Sequence, residues 1–103
     1  MDTLTLDGSG SGVANIPITP GLRYGIAWAS SEGLDQGTMN FYQKAGGTLV
    51  PLRITPGEAF TVELSEVNSD SYEFAATLGS LCITISGGNA NHTLEYAVTP
   101  MVP

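Results

Sequence analysis

The sequence predicts an all-β fold: a two-sheet β-sandwich of jelly-roll or Greek-key type with eight or nine short strands. Apolar and polar residues alternate with a period of two, which is typical of half-buried strands. Turn signals recur about every 8–12 residues, a spacing typical of sandwiches and barrels. Thirteen glycines and six prolines are spread along the 103 residues. No segment has the period of a helix, and the length suits one domain, residues 1–103.

Each predicted strand is an alternating or apolar run that ends at a turn signal. In chain order the strands are Thr3–Asp7, Val13–Ile18, Arg23–Ser30, Thr38–Lys44, Thr48–Ile54, Glu58–Leu64, Ser71–Thr77, Leu81–Ser86 and Thr93–Val98. The connecting turns and loops are Gly8–Gly12, Ser31–Gly37, Ala45–Gly47, Glu66–Asp70 and Gly87–Asn91. Pro17 indicates that its strand lies at an edge or is irregular, because proline cannot donate to a sheet ladder.

Large apolar residues recur at every second position and define the predicted core face of each strand. The clearest sets are Tyr24/Ile26/Trp28, Met39/Phe41, Phe60/Val62/Leu64, Tyr72/Phe74/Ala76, Leu81/Ile83/Ile85 and Leu94/Tyr96/Val98. From this phase we expect Trp28, Phe60, Phe74 and Ile83 to be buried.

The tetrapeptide Ile-Thr-Pro-Gly occurs twice, at Ile18–Gly21 and at Ile54–Gly57. Proline followed by glycine is typical of a type II turn, in which the second central residue has a positive φ. Type II turns splay the strands of a tight hairpin. We therefore expect both copies at corners where the chain passes between the sheets, with Tyr24–Trp28 and Phe60–Leu64 as equivalent core strands.

Charge excludes two classes of partner. Three basic residues stand against ten acidic ones, a net charge of −7. Binding to nucleic acid requires many phosphate-neutralising cations, and a polybasic membrane surface requires a cluster of them. No apolar run approaches the length of a membrane span. The start Met1-Asp2-Thr3 does not resemble a signal peptide, so we expect synthesis in a cytoplasm.

The residue types that carry catalysis or bind metals are scarce, and we predict no catalytic residue, no cofactor and no metal. His92 is the only histidine and Cys82 the only cysteine. We expect His92 at a loop or sheet edge and Cys82 as a buried, unreactive thiol. The acidic pairs closest in sequence are Glu63/Glu66 and Glu32/Asp35, and the best candidate calcium loops are Asn68–Asp70 and Glu32–Asp35. We interpret these as solvated loops.

Aromatic residues suggest one binding function. Trp28 and the four tyrosines, Tyr24, Tyr42, Tyr72 and Tyr96, would form a sugar-stacking platform if they were exposed. Trp28 and Tyr24 lie in the core phase, which favours packing instead. Tyr42 lies opposite the Met39/Phe41 face, so it is the best candidate for an exposed aromatic.

The layout resembles that of small tailed-bacteriophage β-sandwich virion proteins, the capsid decoration or cement and head-fibre types. The matching segments, in order, are Ile16–Gly21, Tyr24–Ala29, Ser30–Gly37, Thr38–Tyr42 and Gly46-Gly47. The resemblance implies a structural virion protein, most specifically a decoration or cement protein that stabilises a phage head. Its implied partners are the major capsid protein and copies of itself, for example in a homotrimer, and its implied location is the virion after synthesis in the host cytoplasm.

Two alternatives come from other functional classes. The first is a carbohydrate- or receptor-binding β-sandwich module of a tail fibre, head fibre or cell surface, which predicts an exposed aromatic row that includes Tyr42. The second is an enzyme, which would need a cleft that joins His92 to acidic residues.

Overall fold

A computed structural model describes residues 2–55 and 58–101, and at 53–55 and 58–59 only their backbone. The described strands are β1 (Asp2–Thr5), β2 (Gly12–Pro17), β3 (Arg23–Ser30), β4 (Thr38–Ala45), β5 (Thr48–Pro51), β6 (Arg53–Thr55), β7 (Glu58–Ala59), β8 (Thr61–Glu63), β9 (Ser69–Ala75), β10 (Ser80–Ser86) and β11 (Thr93–Pro100). Because this part of the chain contains only strands, turns and irregular segments, it offers no helical membrane span.

The strands form two antiparallel sheets that pack as a sandwich. Sheet A has the order β1-β11-β3-β9. Sheet B has the order β2-β10-β4, and β5 and β8 share the far edge of β4. The chain changes sheet at almost every connection, which is the double Greek-key path of a jelly roll. The predicted fold class is therefore confirmed, with nine strands in the two sheets and a separate β6–β7 hairpin.

The core lies between the sheets and is built on aromatic rings. Trp28 of β3 is 2% exposed, and its ring centroid lies 5.4 Å from that of Phe41 on β4. Phe41 stacks on Phe60 at 4.9 Å. Phe74 and Ile83 are also buried, as predicted. Phe60 is only half-buried and packs against the margin of the core, so its predicted full burial is wrong.

The first Ile-Thr-Pro-Gly is the predicted corner. Leu22 N–H donates to the Thr19 carbonyl at 3.3 Å, which closes a four-residue turn. Gly21 at its third position has a φ of 95°, as a type II turn requires. The turn joins β2 in sheet B to β3 in sheet A.

The second Ile-Thr-Pro-Gly does not join the two sheets, so that prediction is wrong. Its Ile54 and Thr55 belong to β6, which pairs with β7 as a small hairpin; Pro56 and Gly57, and hence the turn type, lie outside the described residues. The hairpin interrupts the edge of sheet B, because β5 pairs with one end of β4 and β8 with the other. At the base of the hairpin, Phe60 N–H donates to the Leu52 carbonyl at 2.7 Å.

The outgoing strands after the two tetrapeptides are consequently not equivalent. Residues 24–28 belong to sheet A, whereas β8 belongs to sheet B. Val62 and Leu64 are nevertheless buried in the predicted phase. The alternation of apolar and polar residues thus predicts which side chains of a strand point inward. It does not predict which sheet the strand joins, because that depends on strand pairing.

Gln43 of β4 is a buried polar side chain that links the sheets. It is 7% exposed. Its amide nitrogen donates to the Ala75 carbonyl of β9 at 3.1 Å. Its amide oxygen accepts from the backbone N–H groups of Thr77, at 2.7 Å, and Leu78, at 3.0 Å. One side chain of sheet B therefore satisfies three backbone groups at the end of β9 and in the loop after it.

Replacing Trp28 by alanine should destabilise the protein by about 3–5 kcal/mol, because it empties a large site between the two sheets. Urea unfolding followed by circular dichroism measures this change. Val13→Ala is the control, since Val13 is 59% exposed, and its effect should be within about 0.5 kcal/mol. A Trp28→Ala protein as stable as Val13→Ala would contradict the assigned register.

Gln43→Ala should cost about 2–3 kcal/mol, because it leaves buried backbone groups without partners. Gln36→Ala is the matched control, since Gln36 is exposed. Hydrogen exchange should show faster exchange of the Thr77 and Leu78 amides in Gln43→Ala and unchanged rates in Gln36→Ala. Unchanged exchange at both amides in Gln43→Ala would show that the side chain does not hold this loop.

Candidate functional site

The outer face of sheet B presents the exposed aromatic residue. Met39, Phe41 and Gln43 point into the core. Since side chains alternate along a strand, Asn40 and Tyr42 of β4 point outward. Tyr42 is half-buried: it points outward, as predicted, but is not fully exposed.

Strand register places polar side chains around Tyr42. Tyr42 itself lies between Cys82 on β10 and Pro51 on β5, and Cys82 lies opposite Asn15 on β2. In the next row Asn40 lies opposite Thr84 on one side and Thr61 on the other. The Tyr42 face is defined here as Asn15, Asn40, Tyr42, Thr61 and Thr84.

A hydrogen bond orients part of the Tyr42 face. The Thr61 hydroxyl donates to the Asn40 amide oxygen at 2.9 Å. Among the described residues the Asn40 amide nitrogen makes no hydrogen bond, so both of its N–H groups are available to a ligand. Asn15 is exposed and Thr84 half-exposed. The face therefore combines one aromatic ring with amide and hydroxyl groups on regular strands.

Cys82 lies beneath the Tyr42 face and offers no nucleophile. Although it is on the outer side of β10, it is only 4% exposed. Burial raises the pKa of the Cys82 thiol, and the nearby positive charge of Lys44 offsets this only in part. The thiol is therefore protonated at neutral pH, and its predicted burial is confirmed.

The other aromatic residues do not extend the face into a row. Tyr24, Trp28 and Tyr96 are buried. Tyr72 is half-buried and packs against Phe60, with 4.4 Å between ring centroids. The alternative platform of five aromatics is thus reduced to Tyr42 alone.

The acidic loops meet at one end of the sandwich. A cavity of about 300 Å³ lies between the loop after β3 and the loop after β8. Its lining includes Glu32, Asp35, Glu66 and Asn68. Glu63 is engaged elsewhere, since its carboxylate accepts from the Thr38 hydroxyl at 3.2 Å. Within residues 2–55 and 58–101, no group of three or more acidic, histidine or cysteine side chains is placed to hold a metal.

His92 lies next to this end, immediately before β11. Its imidazole packs against Gly33, where an added Cβ would lie 2.7 Å from the ring. In the described part of the chain the imidazole forms no hydrogen bond or ion pair with a carboxylate. The structure therefore does not bring His92 and the acidic side chains into a bonded catalytic set.

The loop between β1 and β2 is stabilised by Asp7. One carboxylate oxygen accepts from the Ser9 hydroxyl at 2.7 Å, from Ser9 N–H at 2.8 Å and from Ser11 N–H at 3.1 Å. These bonds, that of the Ser9 hydroxyl first, lower the pKa of Asp7.

Asn89 fixes the neighbouring loop, because its amide oxygen accepts from the N–H groups of Asp35 and Gln36. No sequence motif identified either role.

The Asp7 bonds predict a pH-dependent contribution to stability. A carboxylate with a lowered pKa stabilises the fold above its unfolded-state pKa, and this is lost as the pH falls through the folded-state pKa. Asp7→Ala should therefore lower the melting temperature more at about pH 7 than at about pH 2. Asp35→Ala is the control, because the Asp35 carboxylate makes no hydrogen bond in the described residues. An equal loss at both pH values would exclude a role for the charged carboxylate.

Comparison with known proteins gave no family assignment. No family model matches the chain, and no curated protein does. Among solved structures, one described as "CBM4 structure and function" aligns with 96% of this chain and 70% of its own, at 17% identity and a TM-score of 0.44. A likeness of this size carries no inference about function.

Proposed function

We propose that the protein is a non-catalytic binding module that recognises carbohydrate through the Tyr42 face. The observation that carries this proposal is the outward-pointing, half-buried Tyr42 with amide and hydroxyl side chains near it, on the regular strands of sheet B. It is the carbohydrate-binding alternative drawn from the sequence, now attached to specific residues.

The chemistry of the face suits a sugar. A pyranose ring has C–H groups that pack on an aromatic ring and hydroxyls that both donate and accept hydrogen bonds. Tyr42 supplies the apolar surface. Asn15, Asn40 and Thr84 supply amide and hydroxyl groups of both kinds. Because these side chains stand on paired strands, little ordering accompanies binding.

Three observations support a binding role without catalysis. The Cys82 thiol is protonated and covered. His92 packs on Gly33 and has no carboxylate partner in the described residues. The acidic cavity lies at the loop end of the sandwich, apart from the Tyr42 face.

A glycan array followed by calorimetry tests the proposal. Tyr42→Ala should weaken binding about tenfold or more, equivalent to about 1.4 kcal/mol, whereas Tyr42→Phe should retain most of the affinity because it keeps the ring. Asn15→Ala should also weaken binding, with Asn68→Ala, an exposed loop asparagine, as the matched control. Absence of any glycan ligand, or binding unchanged by Tyr42→Ala, would overturn the proposal.

A structural role in a phage particle is the second candidate. It is favoured by the outer face of sheet A, where small side chains such as Gly25, Ala27 and Ala97 leave room for close contact with another protein. In this proposal the protein decorates or cements the capsid and contacts the major capsid protein. Mass spectrometry of purified particles should then detect the chain, and its removal should lower the temperature at which the shells survive. Absence from particles would refute this role.

A further inference from the structure

The outer face of sheet A is an open apolar groove bordered by charge. Its cross-strand rows, taken in the order β11-β3-β9, are Glu95/Ala29/Ser69, Ala97/Ala27/Ser71 and Thr99/Gly25/Glu73, followed by Arg23/Ala75 on β3 and β9. These residues and Met101 define the sheet A face. No large side chain stands at its centre.

The groove has room for side chains from another surface. It has a volume of about 320 Å³, and its lining includes Gly25, Ala27 and Ala97. Met101 borders it, with its sulfur 3.9 Å from the point where a Cβ on Gly25 would lie. Met101 is 39% exposed, so an apolar side chain remains in water beside an apolar groove.

The sheet A face carries charges of opposite sign at its two ends. Arg23 is exposed at one end of β3 and makes no ion pair with a described residue. Glu95 is exposed in the row of Ala29, at the opposite end of the same face. The face therefore carries one cation and two carboxylates: Arg23 and Glu95 stand at its two ends, and the exposed Glu73 stands in the row next to Arg23.

We propose that a second copy of this chain packs on the sheet A face, related by a two-fold axis that lies across the strands. Such an axis places β3 of one copy over β3 of the other. It also reverses the order of the rows, so that the first row of one copy lies over the last row of the other. Arg23 of one copy then lies over the row of Ala29 and Glu95 of the other, so the pair forms twice. A two-fold interface uses the same patch on both copies, as this charge arrangement requires.

The size of the face determines the strength of the association. Three strands and four rows cover roughly 400 Å² per copy at normal strand and residue spacings. Stable interfaces bury about 800 Å² per partner. The dimer should therefore be weak, with a dissociation constant above about 1 µM, and it should weaken further in high salt, which screens the Arg23–Glu95 pairs.

Sedimentation equilibrium tests the proposal. The protein concentration should run from about 10 µM to 1 mM, the range in which an interface smaller than the standard size associates. The wild type should shift from monomer to dimer with increasing concentration. Arg23→Glu and Glu95→Arg should each weaken the dimer at least tenfold, and the double exchange R23E/E95R should restore it. Lys44→Glu on sheet B and Glu32→Arg in a loop are matched controls, because they change the net charge equally.

Several outcomes would overturn the proposal. These are a wild type that stays monomeric throughout, a trimer, a dimer insensitive to both single exchanges, or a double exchange that does not rescue. Ala27→Arg provides a second check, because a large charged side chain at the centre of the groove should abolish the dimer. Circular dichroism verifies that each variant is folded. Glycan binding by the Tyr42 face is measured separately and is independent of this result.

Discussion

The packing of Phe41 against Trp28 and Phe60 is the interaction on which the rest of the structure depends. It joins sheet B, sheet A and the base of the β6–β7 hairpin through ring contacts of 4.9–6.0 Å. Because side chains alternate along a strand, a one-residue slip of β4 would turn Phe41 outward and Tyr42 inward. The position of the exposed tyrosine is thus a consequence of the aromatic core, and Gln43 reinforces the same register by its bonds to the partner sheet.

Local patterns predicted much of this fold, and non-local pairing explains what they missed. The bounds of β3 agree with the prediction, because eight residues with a clear alternation need no partner to be recognised. The two Ile-Thr-Pro-Gly segments differ in role, since the strands that follow a turn are assigned to a sheet by their distant partners. A local pattern likewise does not predict that a glutamine side chain points into the core. Gln43 sits at a core position because acceptors and donors from residues 75–78 happen to meet it there.

The sequence predicted the candidate site only in part, as it did the fold. Tyr42 could be identified because it opposes Met39 and Phe41 within one strand. Asn15, Thr61 and Thr84 could not, since they come together only because β2 pairs with β10 and because β10 and β8 both pair with β4. The sandwich therefore presents two faces of different chemistry, one with an aromatic ring among polar side chains and one apolar with small side chains, and the two proposed partners would not displace each other.

The divided edge of sheet B has a consequence for solubility. A long unpaired edge strand is a template for pairing with other chains. Here β5 has four residues and β8 has three, with the β6–β7 hairpin between them, so neither offers a continuous ladder. The edge strand β2 ends at Pro17, which has no N–H, and on the edge strand β9 the Asp70 side chain occupies the Ser71 N–H at 2.7 Å. These edges are therefore poor templates for fibrillar assembly, which matters in a chain with few charged residues.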